Sequence, residues 1–148
     1  MNVQFRILVA ALTLLGASRV GALSADRAIT QYVRRVWTVE QGLPHGTVRG
    51  IVQTPDGYLW LATYEGLVRF NGEEFKILDR STSPEMLSIA LRMLSLDGKD
   101  GLWLGTHAGL MRYRGGRFVT IALPGGPEII GGVTVVSDGT VWVGMARG

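Results

Sequence analysis

Few side chains of this 148-residue chain could do acid–base or metal chemistry. His45 and His107 are its two histidines, and two imidazoles need nearby carboxylates before they can hold zinc. The absence of cysteine excludes disulfides, thiolate catalysis and thiolate-ligated zinc. No serine lies in a nucleophile-elbow pattern, and no glycine-rich run ends in the Lys-Ser/Thr pair of a phosphate loop. We therefore predict no catalytic site, no cofactor and no bound metal.

An internal repeat dictates which elements carry these residues. Trp60 matches Trp103 at an offset of 43 residues, and Trp103 matches Trp142 at an offset of 39. The first offset also aligns "LWLAT" with "LWLGT" and the turns "EGL" and "AGL" that follow them. A period of about forty residues is typical of a repeat architecture in which each repeat is one supersecondary unit.

Each repeat alternates strand-like runs with turn signals, which predicts four short antiparallel strands. In the first repeat the runs are "VRGIVQ", "YLWLAT", "LVRF" and "EEFKIL", and Asn71-Gly72 favours a two-residue type I′ hairpin. The second strand of each repeat is apolar at nearly every position, so both of its faces must be covered. Stacked four-stranded sheets indicate the blades of an all-β β-propeller; an open β-sandwich is the alternative, but it does not explain the repeat.

The repeat divides the chain into segments. Residues 41–80 form blade 1, residues 81–122 blade 2, and residues 123–148 a partial blade 3 that stops at its second turn. Because propellers close with about four to eight blades, we expect the sequence to be an N-terminal fragment of a longer protein whose first and last blades expose apolar faces. Residues 23–40 precede the first blade, and "YVRRVWTV" at 32–39 is expected to be a strand that completes the last blade of a closed ring.

The aligned residues inside each repeat have structural interpretations. Trp60, Trp103 and Trp142 are expected to pack between blades, although aromatic rings can also stack on sugars. Gly66 and Gly109 are expected to supply turn geometry that a Cβ would strain. The aligned arginines are expected to be hydrogen-bonding or snorkelling groups between blades rather than phosphate clamps; they are Arg69 and Arg112.

One edge of the propeller is the candidate ligand-binding site. The loop that enters the first strand of a blade and the turn between its second and third strands emerge on the same side. This arrangement brings His45, Tyr64, Glu65 and His107 to one rim, where loops commonly bind ligands. The turns around Asp56 and Asp100 face the opposite way. The alternative is that the four rim residues are merely solvated.

The N-terminus indicates export. Residues 1–22 resemble a secretory signal peptide, with one arginine among the first six residues, an apolar run from Ile7 to Gly16 and small residues before a cleavage point after Ala22. The apolar run is too short to favour a permanent membrane anchor, and a buried core helix is the other alternative. Cleavage would remove two of the 15 basic residues, which leaves 13 basic and 12 acidic residues and a net charge of about +1. With no block of like charges, we expect no binding to nucleic acid.

Across residues 36–148 the repeat resembles the two-component regulator propeller repeat family. The matching residues are Trp37-Thr38, Gly42-Leu43-Pro44, Val48, Asp56-Gly57, Leu59-Trp60, Thr63, Gly66-Leu67 and Phe70-Asn71-Gly72, with a second copy from Asp100. The third repeat departs from the pattern, with Met145 in place of the threonine. The resemblance implies a periplasmic sensor portion of a signalling protein, with two propellers, an immunoglobulin-like segment, a transmembrane helix and a cytoplasmic histidine kinase or diguanylate cyclase.

The resulting functional hypothesis is a non-catalytic periplasmic module that senses a small-molecule or protein ligand and acts on downstream membrane-bound domains of the same chain. The input region of a two-component histidine kinase is favoured, and that of a diguanylate cyclase is the first alternative. A secreted propeller lyase or hydrolase and a purely structural interaction module are the others. A homodimer of the full-length protein is compatible with each sensor hypothesis.

Overall fold

A computed structural model describes residues 34–98 and 100–146. The chain divides into two compact units, Met1–Arg35 and Val36–Gly148, and every described strand belongs to the second unit. The predicted signal peptide lies outside the described residues. Within the two described ranges, no helix combines the length and the apolar character needed to cross a bilayer.

The second unit is built from ten antiparallel strands that follow a short 3-10 helix, Val39–Gln41. Blade 1 is a four-stranded sheet in sequence order, and so is blade 2, whereas the third repeat contributes a two-stranded sheet. The strands of blade 1 are β1 Val48–Gln53, β2 Leu59–Thr63, β3 Gly66–Phe70 and β4 Phe75–Leu78; those of blade 2 are β5 Leu91–Asp97, β6 Gly101–Thr106, β7 Gly109–Arg114 and β8 Arg117–Ile121; the third repeat contains β9 Ile130–Val135 and β10 Val141–Met145. The prediction of all-β propeller blades is confirmed.

The hairpins between the third and fourth strands differ from the prediction in one blade. In blade 1, Phe70 pairs with Phe75, so four residues form the loop, and the side chain of Asn71 accepts the backbone N–H groups of Glu73 and Glu74 at 2.8 and 2.7 Å. The expected two-residue turn at Asn71-Gly72 is therefore wrong, because this side chain stabilises a longer loop. Blade 2 has the two-residue loop instead, at Gly115 and Gly116, both with positive φ.

Sheets pack face to face, and β6 lies at the centre of the stack. All six residues of β6 are buried. Leu102 and Leu104 belong to the core shared with blade 1, together with Trp60, whereas Trp103 belongs to a second core with Ile130 of the third repeat. Opposite faces of one strand thus enter two cores, as the unbroken apolar pattern of the second strands predicts.

Trp142 does not share the environment of the other two aligned tryptophans. Trp60 and Trp103 are 6% and 8% exposed, whereas Trp142 is 65% exposed. Trp60 packs on Tyr113 of the next blade, with ring centroids 5.2 Å apart. The expectation that Trp142 packs in a core is wrong. Within residues 34–98 and 100–146, no sheet packs on this face of the third repeat.

The expected strand at 32–39 is not found in the portion that the structure describes. Residues 34–38 have no regular secondary structure, and the 3-10 helix begins at Val39 with Thr38 as its N-cap. Tyr32 and Val33 lie outside the described residues. A strand requires a hydrogen-bonding partner, and none of the described strands pairs with this segment. Trp37 instead packs edge-on against Phe70 at a centroid distance of 5.0 Å.

Gly105 provides a test of the sheet stacking. A Cβ built on Gly105 would lie 2.6 Å from Met93 Cγ and 2.8 Å from Ile130 Cγ2, so alanine must push β6 away from the third repeat. We expect Gly105→Ala to lower the free energy of unfolding in urea by about 1–3 kcal/mol, the usual cost of overpacking. Gly132→Ala is the control, because its Cβ would meet nothing within 4 Å. Equal effects of the two substitutions would contradict the close approach.

Candidate functional site

The turns between the second and third strands of the two full blades form one edge of the structure, which we call the rim edge. Each turn begins at a fully buried threonine and ends at a glycine with φ near +130°. Thr63 Oγ1 donates to the carbonyl of Gly66 at 2.8 Å and accepts the N–H of Glu65 at 3.1 Å, and Thr106 makes the same two bonds in blade 2. A Cβ at Gly66 would lie 2.6 Å from the carbonyl oxygen of Leu78, so this turn requires glycine.

Three of the four residues predicted for the rim lie side by side. The ring of Tyr64 lies beside both imidazoles, 5.4 Å from His45 and 6.2 Å from His107 by centroid distance. Glu65 is exposed in the same turn as Tyr64, and among the described residues it forms no ion pair.

Sequence reasoning missed two arginines that extend this row. The guanidinium of Arg49 lies over the ring of Tyr64, 4.8 Å from its centroid, and also donates a hydrogen bond to the Tyr64 hydroxyl. Arg92 Nη1 lies 3.3 Å from His107 Nε2. Each blade therefore contributes one arginine from its first strand and one ring from its second turn.

Both arginines occupy β-bulges. In β1 the pairing register skips Arg49 between Val48 and Gly50, and in β5 it skips Arg92 between Leu91 and Met93. A bulge leaves one residue out of the ladder and redirects its side chain, a device that recurs beside functional sites. The bulges thus turn the arginines toward the aromatic residues of the rim edge.

The repeat itself contained the signal for these arginines. Arg49 and Arg92 are 43 residues apart, the offset that aligns Trp60 with Trp103, and Tyr64 and His107 share it. In the third repeat a register shift recurs between Gly144 and Met145, and the position equivalent to Arg92 is Gly131. The arginine–ring pair is therefore specific to the first two repeats.

The opposite edge has a different charge arrangement. Arg69 Nη2 lies 3.1 Å from Asp56 Oδ2, and Arg112 Nε lies 2.5 Å from Asp97 Oδ2. Each guanidinium also lies near the ring of its own blade's tryptophan, Trp60 or Trp103. Each of these aligned arginines thus pairs with an aspartate of its own blade, in place of the hydrogen-bonding or snorkelling contact between blades that the repeat predicts.

The pKa of the Asp56 carboxyl at this edge is lowered from its ordinary value of 3.8. The hydroxyl of Thr54 donates a hydrogen bond to this carboxylate and is the main cause of the lowered pKa. The backbone N–H of Tyr58 and the guanidinium of Arg69 also donate hydrogen bonds to the carboxylate and lower its pKa further. Thr54 Oγ1 in turn accepts the indole N–H of Trp60 at 3.1 Å, which connects the exposed turn to the buried core.

A shallow apolar cleft lies at the outer end of blade 2, with a volume of about 240 Å³. Its wall includes Leu87, Ala108, Ile121, Leu123 and Pro127. Ala108 follows His107 in the same turn, so the cleft and the row of rings belong to the same edge of the blade. Its lining contains no ionisable side chain and is mainly apolar.

Residues 42–65 match the family model described as the two component regulator propeller. This range of the chain is therefore similar to a repeat of that family. The matched range begins just before His45 and ends at Glu65, so it includes β1, β2 and three of the four predicted rim residues. The resemblance inferred from the sequence is confirmed.

Among solved structures, the chain is similar to the extracellular domain of a putative hybrid two component system from B. thetaiotaomicron. The two share 26% sequence identity and superpose with a TM-score of 0.63. The alignment covers 74% of this chain and 17% of that one, so the chain spans about a sixth of the neighbour's length. No curated protein matches the chain.

Substitution of Thr106, the threonine that begins the rim turn of blade 2, tests whether its hydrogen bonds stabilise the rim edge. Thr106→Val should lower the free energy of unfolding by about 1–3 kcal/mol, because it leaves the buried carbonyl of Gly109 without its donor and the partly buried N–H of Ala108 without its acceptor. Thr120→Val, at an exposed position of β8, is the matched control and should change stability by less than about 0.5 kcal/mol. Urea unfolding followed by tryptophan fluorescence measures both; a neutral Thr106→Val would mean that this turn does not need its hydroxyl.

The lowered pKa of Asp56 predicts an acid dependence of stability. A carboxylate whose pKa is lower in the folded state stabilises the fold above its ordinary pKa of 3.8, and this contribution is lost as the pH falls below that value. Asp56→Asn should therefore unfold more readily than the unchanged chain at pH 7, and the difference should narrow below about pH 4. Thermal unfolding at several pH values tests this; a difference that does not vary with pH would contradict it.

Proposed function

We propose that the chain is part of an exported, non-catalytic sensor propeller whose rim edge binds a ligand and passes that signal to a two-component histidine kinase. The observation that carries the proposal is the likeness, at 26% identity and a TM-score of 0.63, to the extracellular domain of a putative hybrid two component system. The family match at residues 42–65 supports the same signalling role.

The geometry of the rim edge supports a binding role. His45, Tyr64 and His107 form one continuous row although they come from three separate loops, and the packing of blade 1 on blade 2 brings His107 beside Tyr64. The turns that carry Tyr64 and His107 are fixed by buried threonines rather than free to adjust. A row of partly exposed rings on rigid turns is suited to recognition by preformed contacts.

The non-catalytic part of the proposal is supported by the pairing of these groups. His45 accepts a hydrogen bond from the backbone of Thr47, and His107 is hydrogen-bonded to Arg92. Neither partner is a carboxylate that could orient a catalytic histidine or a nucleophile that a histidine could activate. Within the described ranges, no three histidine or carboxylate side chains are close enough to hold a metal ion. A turnover of any substrate that is lost specifically in Glu65→Gln or His107→Ala would overturn this part.

Export is the first test of the proposed location. A precursor with a C-terminal tag should appear in the periplasmic fraction, shortened by about 22 residues, because the segment before Leu23 has the layout of a signal peptide. Replacing Leu12, in the apolar run, with Arg should keep the tagged chain full-length and in the cytoplasm. Recovery of the unshortened, unaltered precursor in the cytoplasm would contradict the proposal.

The signalling output is tested on the membrane fraction of the source cells. An antibody against the propeller should isolate a larger, membrane-bound polypeptide that takes up phosphate from labelled ATP on a histidine, detected as an acid-labile label. Formation of cyclic diguanylate from GTP would identify the cyclase alternative instead. A propeller polypeptide with neither activity and no membrane association would overturn the sensor proposal.

A further inference from the structure

The hydrogen bonds along the rim edge determine which polar groups remain available to a ligand. His45 Nδ1 accepts the backbone N–H of Thr47 at 2.9 Å, so its remaining proton is on Nε2. An arginine can only donate, so His107 Nε2 accepts from Arg92 and the proton of this imidazole is on Nδ1. Both rings therefore offer an N–H, and neither offers a free acceptor nitrogen.

The other members of the row are donors as well. The hydroxyl of Tyr64 accepts from Arg49, which leaves its own hydrogen free to donate. Arg49 is exposed and Arg92 is partly buried, and neither is within 4.0 Å of a carboxylate among the described residues. The arginines of the opposite edge, Arg69 and Arg112, are by contrast each paired with an aspartate.

We propose that this row, made of His45, Arg49, Tyr64, Arg92 and His107, binds the oxyanion groups of an acidic ligand, with one carboxylate or sulfate at each arginine. A surface that presents N–H and O–H donors and two unpaired positive charges is complementary to acceptors that carry negative charge. The ring beside each arginine holds the guanidinium in place before a ligand arrives, which lowers the entropic cost of binding.

Two cationic positions at equivalent places in successive blades favour a ligand with at least two acidic groups. When one group is bound, the second is held near the other arginine at a high effective concentration, provided that the ligand can span the distance. Gly131 takes the equivalent place in the third repeat, so the described row has two positions of this kind. This inference rests on the proposed function, because it names the ligand class of the same rim edge.

Calorimetric titration of the purified chain with sulfate, acetate and linear dicarboxylates from succinate to sebacate, at constant ionic strength, tests the proposal. We expect saturable binding, with an affinity for one dicarboxylate length at least about tenfold above that for acetate. Each of the substitutions Arg49→Gln and Arg92→Gln should lower the affinity for the tightest-binding dicarboxylate to that for acetate. Near-ultraviolet circular dichroism confirms that each variant is folded, and Arg92→Lys, which keeps the charge, should recover part of the affinity.

Arg114→Gln is the matched control, because it removes the same charge from an exposed residue at the other edge. It should leave the affinity unchanged; a loss equal to that of Arg92→Gln would mean that only net charge matters and would overturn the proposal. Absence of saturable binding by every acidic probe would overturn it too. Binding of a neutral disaccharide such as trehalose, abolished by Tyr64→Ala, would overturn the acidic ligand class and leave the proposed sensing role intact.

Discussion

Burial of β6 on both faces is the constraint on which the rest of the structure depends. A strand that is apolar at nearly every position cannot have a solvated face, so a sheet must pack against each side of blade 2. Leu104 and Trp103, neighbours in sequence, therefore enter different cores. Because the stacking fixes blade 1 and the third repeat against blade 2, it also fixes the distances between loops that are about forty residues apart in sequence.

The two edges of the blades use the same residue types for different purposes. At the edge that carries Asp56, arginines are paired with aspartates and lie over the core tryptophans, so charge and packing stabilise each blade separately. At the rim edge, Arg49 and Arg92 meet rings that do not neutralise them. The difference arises from the bulges, which direct one residue of each first strand out of the regular ladder.

This division is consistent with how a repeat architecture separates stability from recognition. Trp103, Thr106 and Gly109 hold their blade and its turn, and the same residue types recur in blade 1 because each blade needs them. Residues that project from the turn are free to differ between repeats, as Tyr64 and His107 do at equivalent positions. The exposed residues of these turns can therefore vary from blade to blade without loss of the fold.

The sequence by itself determined the repeat, the four strands per blade and the burial of β6 on both faces around Trp103, because these depend on local periodicity and apolar runs. It also placed His45, Tyr64 and His107 at one edge, since strand direction alone decides where a turn emerges. The four-residue loop at Asn71 and the irregular segment at 34–38 were not predictable, because each depends on a specific hydrogen bond or on a missing partner strand. Tertiary structure decided the exposure of Trp142, because that exposure depends on which sheet covers its face of the third repeat. Tertiary structure also decided the positions of Arg49 and Arg92, because they depend on a strand-pairing register that periodicity does not encode.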